Sequence, residues 1–158
     1  MNIFGCNNNG ALYAPCTAKI YYCKIYENDL LIRDYIPCVD TQLGVAGFYD
    51  LVDNRFFGNQ GTGLFIYGND AINGVRISKN LPEEYQEVEY IESTGSQHID
   101  TKLIPTETMR ITMKTTPTSV VNATTAAGFI PYGGGQSTDA LAFECFSWNN
   151  QYEFNYAN

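Results

Sequence analysis

Several residue types on which common active sites depend are scarce in this 158-residue sequence. It has one histidine, His98, and its five cysteines contain no Cys-x-x-Cys pair. Zinc sites need several His or Cys ligands at defined spacing, so zinc is disfavoured. A Ser-His-Asp or Cys-His catalytic site would have to use His98 with a distant nucleophile such as Cys145, and a lone histidine on a strand is more often structural.

Basic residues are also few, with 9 Lys and Arg against 17 Asp and Glu, which gives a formal net charge of -8. An acidic surface repels a phosphate backbone, so nucleic acid is not expected as a partner. No apolar run reaches membrane-spanning length, and the first five residues lack the basic and long apolar regions of a signal peptide. We therefore expect neither a membrane partner nor a visible signal peptide.

The cysteines (Cys6, Cys16, Cys23, Cys38 and Cys145) are odd in number. Small buried thiols in a chain made in the cytoplasm are the favoured interpretation. A disulfide such as one between Cys16 and Cys38 stays open, because sequence alone cannot assign the pairing.

No apolar stripe at helical spacing extends over three turns, and the hydrophobic pattern has a period of two residues almost throughout. Lys19–Tyr26 and Leu30–Ile36 flank the turn dipeptide Asn28-Asp29 and predict a β-hairpin. Met109–Met113 alternates apolar and polar side chains, as a half-buried strand does. Many short strands with turn residues between them predict an all-β sandwich or barrel.

Other segments extend this pattern on both sides of a polar, Gly- and Asn-rich linker at Gly68–Asn80. Gly47–Phe57 indicates two short strands that reverse near Asp53-Asn54. In Glu87–Tyr90 the glutamates alternate with apolar side chains, which predicts a continuous strand with one solvated face.

Two stretches carry a family resemblance. The stretch "LPEEYQEVEYIESTGSQHIDT", Leu81–Thr101, resembles the N-terminal signature of concanavalin A-like (laminin G-like) domains. These domains are found in phage tail, prophage and gut-bacterial surface proteins. Ala18–Phe65 resembles the C-terminal signature of the same family. The resemblance implies a jelly-roll β-sandwich.

The two signatures stand in reverse order. Residues 1–67 therefore correspond to the C-terminal half of such a domain, residues 68–80 to a linker and residues 81–158 to the N-terminal half, together forming one sandwich. The chain is either a circular permutant or a piece cut across two tandem domains, and a few central strands of the family are missing. Exposed strand edges recruit neighbours, so we expect a homo-oligomer formed by half-domain exchange. The resemblance implies a location in a virion tail or on a bacterial surface.

Asp50, Asp53 and Asn54 share one turn and form a candidate calcium site, because carboxylates and carbonyls are the ligands of a hard cation. Many concanavalin A-like domains bind calcium at loop ends. The same residue types also form local side-chain to backbone bonds in turns, and that alternative stays open.

The only tryptophan, Trp148, stands near Asn149, Asn150 and Tyr152. Aromatic rings stack on the apolar faces of sugars while amides bond the hydroxyls, so this group is a candidate glycan site. The alternative is that Trp148 and Tyr152 belong to the core.

The densest acidic cluster is a candidate for sugar hydrolysis by paired carboxylates, or for a solvated strand face. It contains Glu83, Glu84, Glu87, Glu89 and Glu92. The spacing found in sandwich glycosidases is absent, so a non-enzyme is favoured. The leading function is a non-catalytic glycan-binding or adhesion module; a self-associating structural module is the first alternative, and a glycoside hydrolase or lyase is the second.

Overall fold

The computed structural model describes residues 1–8, 11–68, 81–118, 124–130, 142–148 and 151–157. Every regular element in these ranges is a β-strand, which confirms the all-β prediction. Most of the predicted linker lies outside the described residues. The strands are β1 (Asn2–Ile3), β2 (Cys6–Asn8), β3 (Ala11–Tyr13), β4 (Thr17–Glu27), β5 (Leu30–Asp40), β6 (Val45–Asp50), β7 (Arg55–Phe57), β8 (Ile66–Tyr67), β9 (Tyr85–Glu87), β10 (Ile91–Thr94), β11 (Ile99–Asp100), β12 (Met109–Pro117), β13 (Thr124–Ile130), β14 (Ala142–Trp148) and β15 (Gln151–Ala157).

The strands form two sheets, and strands from both sides of the linker enter each sheet. Sheet A has the order β11-β1-β13-β14-β15, with β2 and β3 attached beside β13. Sheet B has the order β7-β6-β5-β4-β10-β8, with β12 paired to β4 and β9 paired to β5. The described strand pairs are antiparallel except for β2 with β13. Residues 1–67 and 81–157 are therefore interleaved rather than side by side.

The predicted hairpin is confirmed as β4 and β5. Its two turn residues, Asn28 and Asp29, have φ values of 49° and 61°. Positive φ at both central positions defines the primed turn whose twist matches paired strands, and Asn and Asp tolerate that conformation best after Gly. Strands β6 and β7 likewise reverse at the predicted Asp53-Asn54 turn, where Asn54 has a φ of 51°.

The prediction of a continuous strand through Glu87–Tyr90 is wrong. Strand β9 ends at Glu87 and pairs with the last residues of β5, whereas β10 starts at Ile91 and pairs with the first residues of β4. Between them the chain changes neighbours, and the Val88 amide donates to the Pro37 carbonyl (3.0 Å). Val88 is buried and Glu89 is exposed, so the alternation survives although the strand does not.

One apolar core includes residues from both sheets. Phe4, which follows β1, stacks on Phe48 of β6 with ring centroids 6.4 Å apart, and its ring lies 5.1 Å from that of Phe65. Burial of such large apolar surfaces is the main stabilising contribution to folding. The fully buried aliphatic members are Ile3, Ile20, Ile25, Ile91 and Ile99.

Four cysteines, Cys6, Cys16, Cys23 and Cys38, are buried thiols, which confirms the thiol interpretation for these positions. The Cys16–Cys38 disulfide that the sequence left open is not formed, since Cys38 is a free thiol. Burial raises the pKa of the Cys23 thiol and raises that of Cys38 to about 12. Both thiols stay protonated at neutral pH, and a protonated thiol is a poor nucleophile.

Candidate functional site

A bulge in β4 creates the candidate site. The segment contains Lys-Ile-Tyr twice, at residues 19–21 and 24–26, five positions apart. In a regular strand an odd offset would place Ile20 and Ile25 on opposite faces. Lys114 of β12 pairs with Tyr22 and Thr115 pairs with Ile20, so Tyr21 is an extra residue in the ladder. This β-bulge returns both isoleucines to the core and both Lys and Tyr side chains to the opposite face.

That opposite face combines tyrosines with basic side chains in cross-strand rows. Tyr22 is opposite Lys114, Lys24 is opposite Thr112, and Tyr26 is opposite Arg110. Lys19, Tyr21 and Tyr90 extend the rows at one end. We call this surface the tyrosine–cation face.

Cation–π contacts connect one end of the face into a chain. The Lys19 amino group lies 4.2 Å from the centroid of the Tyr90 ring and donates to its hydroxyl (3.1 Å). Tyr90 meets Tyr21 edge to face, with centroids 5.7 Å apart. The Lys114 amino group lies 4.5 Å from the centroid of the Tyr21 ring. These contacts hold the two amino groups in place on either side of a tyrosine pair.

The other end of the face repeats the arrangement. The Arg110 guanidinium carbon lies 4.0 Å from the centroid of the Tyr26 ring. Lys24 forms an ion pair with Asp34 at 2.9 Å. The hydrogen bond to Tyr90 raises the pKa of Lys19, and the hydrogen bond to Asp34 raises the pKa of Lys24. Both lysines are therefore cations at neutral pH.

The face is accessible to a ligand. Tyr22 is 37% exposed, and Thr112 and Lys114 are also exposed. An exposed ring flanked by hydroxyl and ammonium groups can stack on a sugar and bond its polar substituents. The sequence contains a signal for this surface, the odd spacing of the repeated Lys-Ile-Tyr. The hairpin prediction for this segment did not include the surface.

The predicted tryptophan site lies at the end of the β14–β15 hairpin in sheet A. The backbone of Ser147 pairs with that of Tyr152, and Trp148 pairs with Gln151. Trp148 and Tyr152 are thus brought close by the backbone register. Asn149 and Asn150 lie outside the described residues, and the glycan site at these four positions stays a prediction.

The predicted calcium ligands surround an arginine. Arg33 contacts the Asp50 carboxylate (Nε to Oδ2, 3.3 Å) and the Asp53 carboxylate (Nη1 to Oδ2, 2.9 Å). Asp50 also accepts hydrogen bonds from the amides of Asp34 and Val52. The hydrogen bond from the Val52 amide to Asp50 is a local side-chain to backbone bond of the kind that the alternative turn interpretation predicts, and Arg33 neutralises the carboxylates. Calcium binding stays a prediction and would require the Arg33 guanidinium to move aside.

A second polar cluster joins the two signature stretches, and we call it the loop junction. It consists of Asn59–Thr62 and Ser96–His98. Gln60 donates its amide to the His98 carbonyl (2.9 Å), and Thr62 donates its amide to the Ser96 carbonyl (3.2 Å). The His98 amide in turn donates to the Asn59 side chain (3.0 Å). His98 thus has a structural environment, and its Nδ1 is buried without a hydrogen-bond partner among the residues that the structure describes.

Burial lowers the pKa of His98, while Asp100 opposes this in part. The folded state therefore favours the neutral ring, whereas the unfolded chain takes up a proton near pH 6.5. We expect the contribution of His98 to the free energy of unfolding to be fully present above that pH and to be lost as the pH falls below it. Urea denaturation at pH 7.5 and pH 5.5 measures the decrease, and His98→Gln should make it smaller. An unchanged pH dependence in His98→Gln would contradict this role.

The residues of the acidic cluster are divided between two strands and the segments beside them. Glu83, Glu84 and Glu89 are exposed, while Glu87 lies on β9 and Glu92 on β10. In the part of the chain that the structure describes, no group of three or more His, Cys, Asp or Glu side chains could hold a metal ion. The same residues contain no helix long and apolar enough to span a membrane.

Comparisons with known protein families, with curated proteins and with solved structures gave no match to this chain.

Proposed function

We propose that the protein is a non-catalytic glycan-binding module and that the tyrosine–cation face is its binding surface. The observation that carries the proposal is the row of Tyr22, Lys24 and Tyr26 beside Arg110, Thr112 and Lys114. This row places tyrosine rings beside basic and hydroxyl side chains, the groups that stack on a sugar and bond its hydroxyls. A role in adhesion and a location in a virion tail or on a bacterial surface rest on the family resemblance alone.

The proposed ligand platform is Tyr22. The rings of Tyr21 and Tyr26 each have a cation over one face, whereas Tyr22 is the most exposed ring of the set. Lys114 lies directly opposite Tyr22 in the ladder, where its amino group can reach a sugar hydroxyl or acid. One ring that stacks and neighbouring groups that bond suffice for orientation and specificity.

Tyr22→Ala should weaken glycan binding by about tenfold, equivalent to about 1.4 kcal/mol, because the stacking surface is lost. A glycan array identifies the ligand, and titration calorimetry measures the change. Tyr13→Ala is the matched control, since Tyr13 is an exposed tyrosine of sheet A. Equal binding by the two variants would exclude Tyr22 as the platform, and no binding to any glycan would favour the structural alternative.

We also propose the permuted jelly roll, and the register of sheet A supports it. Asn2 pairs with Gly128, Gly128 with Glu144, and Glu144 with Asn155. Neighbouring strands lie about 4.8 Å apart, so Asn2 and Asn155 are separated by about 14 Å. Strand β15 is antiparallel to β1, and the chain after Asn155 runs toward the end of the sheet where Met1 lies. A linker of about six residues spans about 20 Å and would join the two ends.

A rearranged chain tests this order. It consists of residues 81–158, a six-residue Gly/Ser linker and residues 1–68, and we expect it to fold with a melting temperature within about 5 °C of the original. A second rearrangement with new termini between Asn28 and Asp29 is the control, since it cuts a primed turn and should be less stable. An unfolded first chain beside a folded control would contradict the proposal. Light scattering on the original chain separates closure within one chain from half-domain exchange.

A further inference from the structure

We infer that the ligand of the tyrosine–cation face is an anionic glycan, one that carries carboxylate, sulfate or phosphate groups. The inference rests on the proposed function and adds the chemical class of the sugar. It starts from charge. Four of the nine basic residues of the chain (Lys19, Lys24, Arg110 and Lys114) lie on this one face, although the whole chain has a net charge of -8.

One of these cations, Lys114, has no anionic partner in the described part of the chain, whereas Lys19 has Glu92 as its cross-strand neighbour. Lys24 is paired with Asp34, and Arg110 lies 3.7 Å from the exposed Asp29 carboxylate. No described carboxylate lies within 4.0 Å of the amino groups of Lys19 and Lys114, which instead contact the rings of Tyr90 and Tyr21. A ring orients an ammonium group and attracts it, but it does not neutralise its charge. An anion on the ligand would supply the missing partner of Lys114.

The described acidic residues near the face lie beside three of its four cations and leave Lys114 without an acidic neighbour. Glu92 is the cross-strand neighbour of Lys19, and Asp34 is held by Lys24. Glu27, at the hairpin end, accepts hydrogen bonds from the hydroxyls of Thr106 and Thr108. The uncompensated positive charge of the face therefore lies at Lys114, opposite Tyr22, where it attracts a single anionic group, while the acidic remainder of the protein repels a large polyanion.

This distribution favours an acidic sugar over nucleic acid. Double-stranded DNA carries one charge per about 1.7 Å of its axis and would meet the acidic remainder of the surface as well as the face. An acidic glycan carries about one charge per sugar or per disaccharide, and its uncharged ring faces match the exposed ring of Tyr22. A sugar with an acid group can therefore contact Tyr22 and Lys114 together, since the two residues lie opposite each other in the ladder.

The test compares ligands that differ only in charge. Titration calorimetry uses oligogalacturonate, its fully methyl-esterified uncharged form, a sulfated oligosaccharide and oligothymidylate. We expect the oligogalacturonate or the sulfated sugar to bind at least about tenfold more tightly than the ester. Binding should weaken at least about tenfold between 50 and 500 mM NaCl, because salt screens exposed charges.

Lys114→Ala should reduce this binding about five- to tenfold, whereas Lys114→Arg should retain it. Lys102→Ala is the matched control, since the Lys102 side chain is 62% exposed and is paired with Asp100 away from the face. A charge-independent or salt-independent affinity overturns the inference and leaves the glycan-binding proposal standing. Binding of no saccharide, here or on the array, overturns both. Tighter binding of oligothymidylate overturns the inference in favour of nucleic acid.

Discussion

Replacing Arg33 by methionine should lower the free energy of unfolding by about 3–5 kcal/mol, the cost of leaving a buried charge without its partner. Asp50 is fully buried on the core-facing side of sheet B, and Arg33 is the only cation in contact with its carboxylate among the described residues. The contact between Nε and Oδ2 is ionic, because neither atom satisfies hydrogen-bond geometry. Methionine keeps most of the apolar length of arginine, so the loss reports mainly on charge.

Asp50→Asn separates charge from packing in this prediction. Asparagine retains an acceptor for the amides of Asp34 and Val52 but carries no charge, so Arg33→Met with Asp50→Asn should be more stable than Arg33→Met alone. Arg110→Met is the control for an exposed arginine and should cost less than about 1 kcal/mol. Urea denaturation of the original protein, Arg33→Met, the double variant and Arg110→Met measures these differences. An Arg33→Met loss below 1 kcal/mol, or no recovery in the double variant, would contradict a charge-neutralising role.

Gly61→Ala should lower the free energy of unfolding by about 2–3 kcal/mol, through overpacking of the loop junction. A Cβ at residue 61 would lie 1.9 Å from the Ser96 carbonyl oxygen, a backbone atom that cannot rotate away. The same oxygen accepts the Thr62 amide, so a shift of Ser96 also breaks a bond between the two signature stretches. We expect a displaced Ser96 to weaken the other hydrogen bonds of the loop junction as well.

Gly58→Ala is the matched control for this substitution. A Cβ at residue 58 would first meet the Phe56 ring at 3.2 Å, and a side chain can move by the few tenths of an ångström required. We expect a loss below about 1 kcal/mol for Gly58→Ala. Equal losses for the two variants would mean that the contact between Gly61 and Ser96 has no special role.

Local patterns predicted the parts of the fold that local chemistry decides. The β4–β5 hairpin follows from two residues that tolerate positive φ between two aromatic and β-branched runs. The alternation of β12 follows from the exposure of Arg110, Thr112 and Lys114 on one side of a single strand. In each case the residues that specify the structure are neighbours in sequence.

Features that depend on distant partners were not accessible in this way. The break between Glu87 and Ile91 arises because the segment moves from β5 to β4, which alternation alone does not reveal. Arg33 meets Asp50 only because of the register of β5 against β6, which the sequence does not show. Without that information, Asp50 and Asp53 were predicted to be ligands of a metal cation. The tyrosine–cation face likewise requires β12 to lie beside β4, more than 80 residues away in sequence.

The most direct test of the glycan-binding claim is a nuclear magnetic resonance titration of the isotope-labelled protein with oligogalacturonate. We expect the largest backbone amide shift changes to cluster at residues 19–26 of β4 and 110–115 of β12. Changes confined to residues 148–152 would move the site to the hairpin that carries Trp148 and Tyr152. The absence of any change with millimolar oligogalacturonate, and then with the sulfated oligosaccharide, would contradict binding of an anionic glycan at this face.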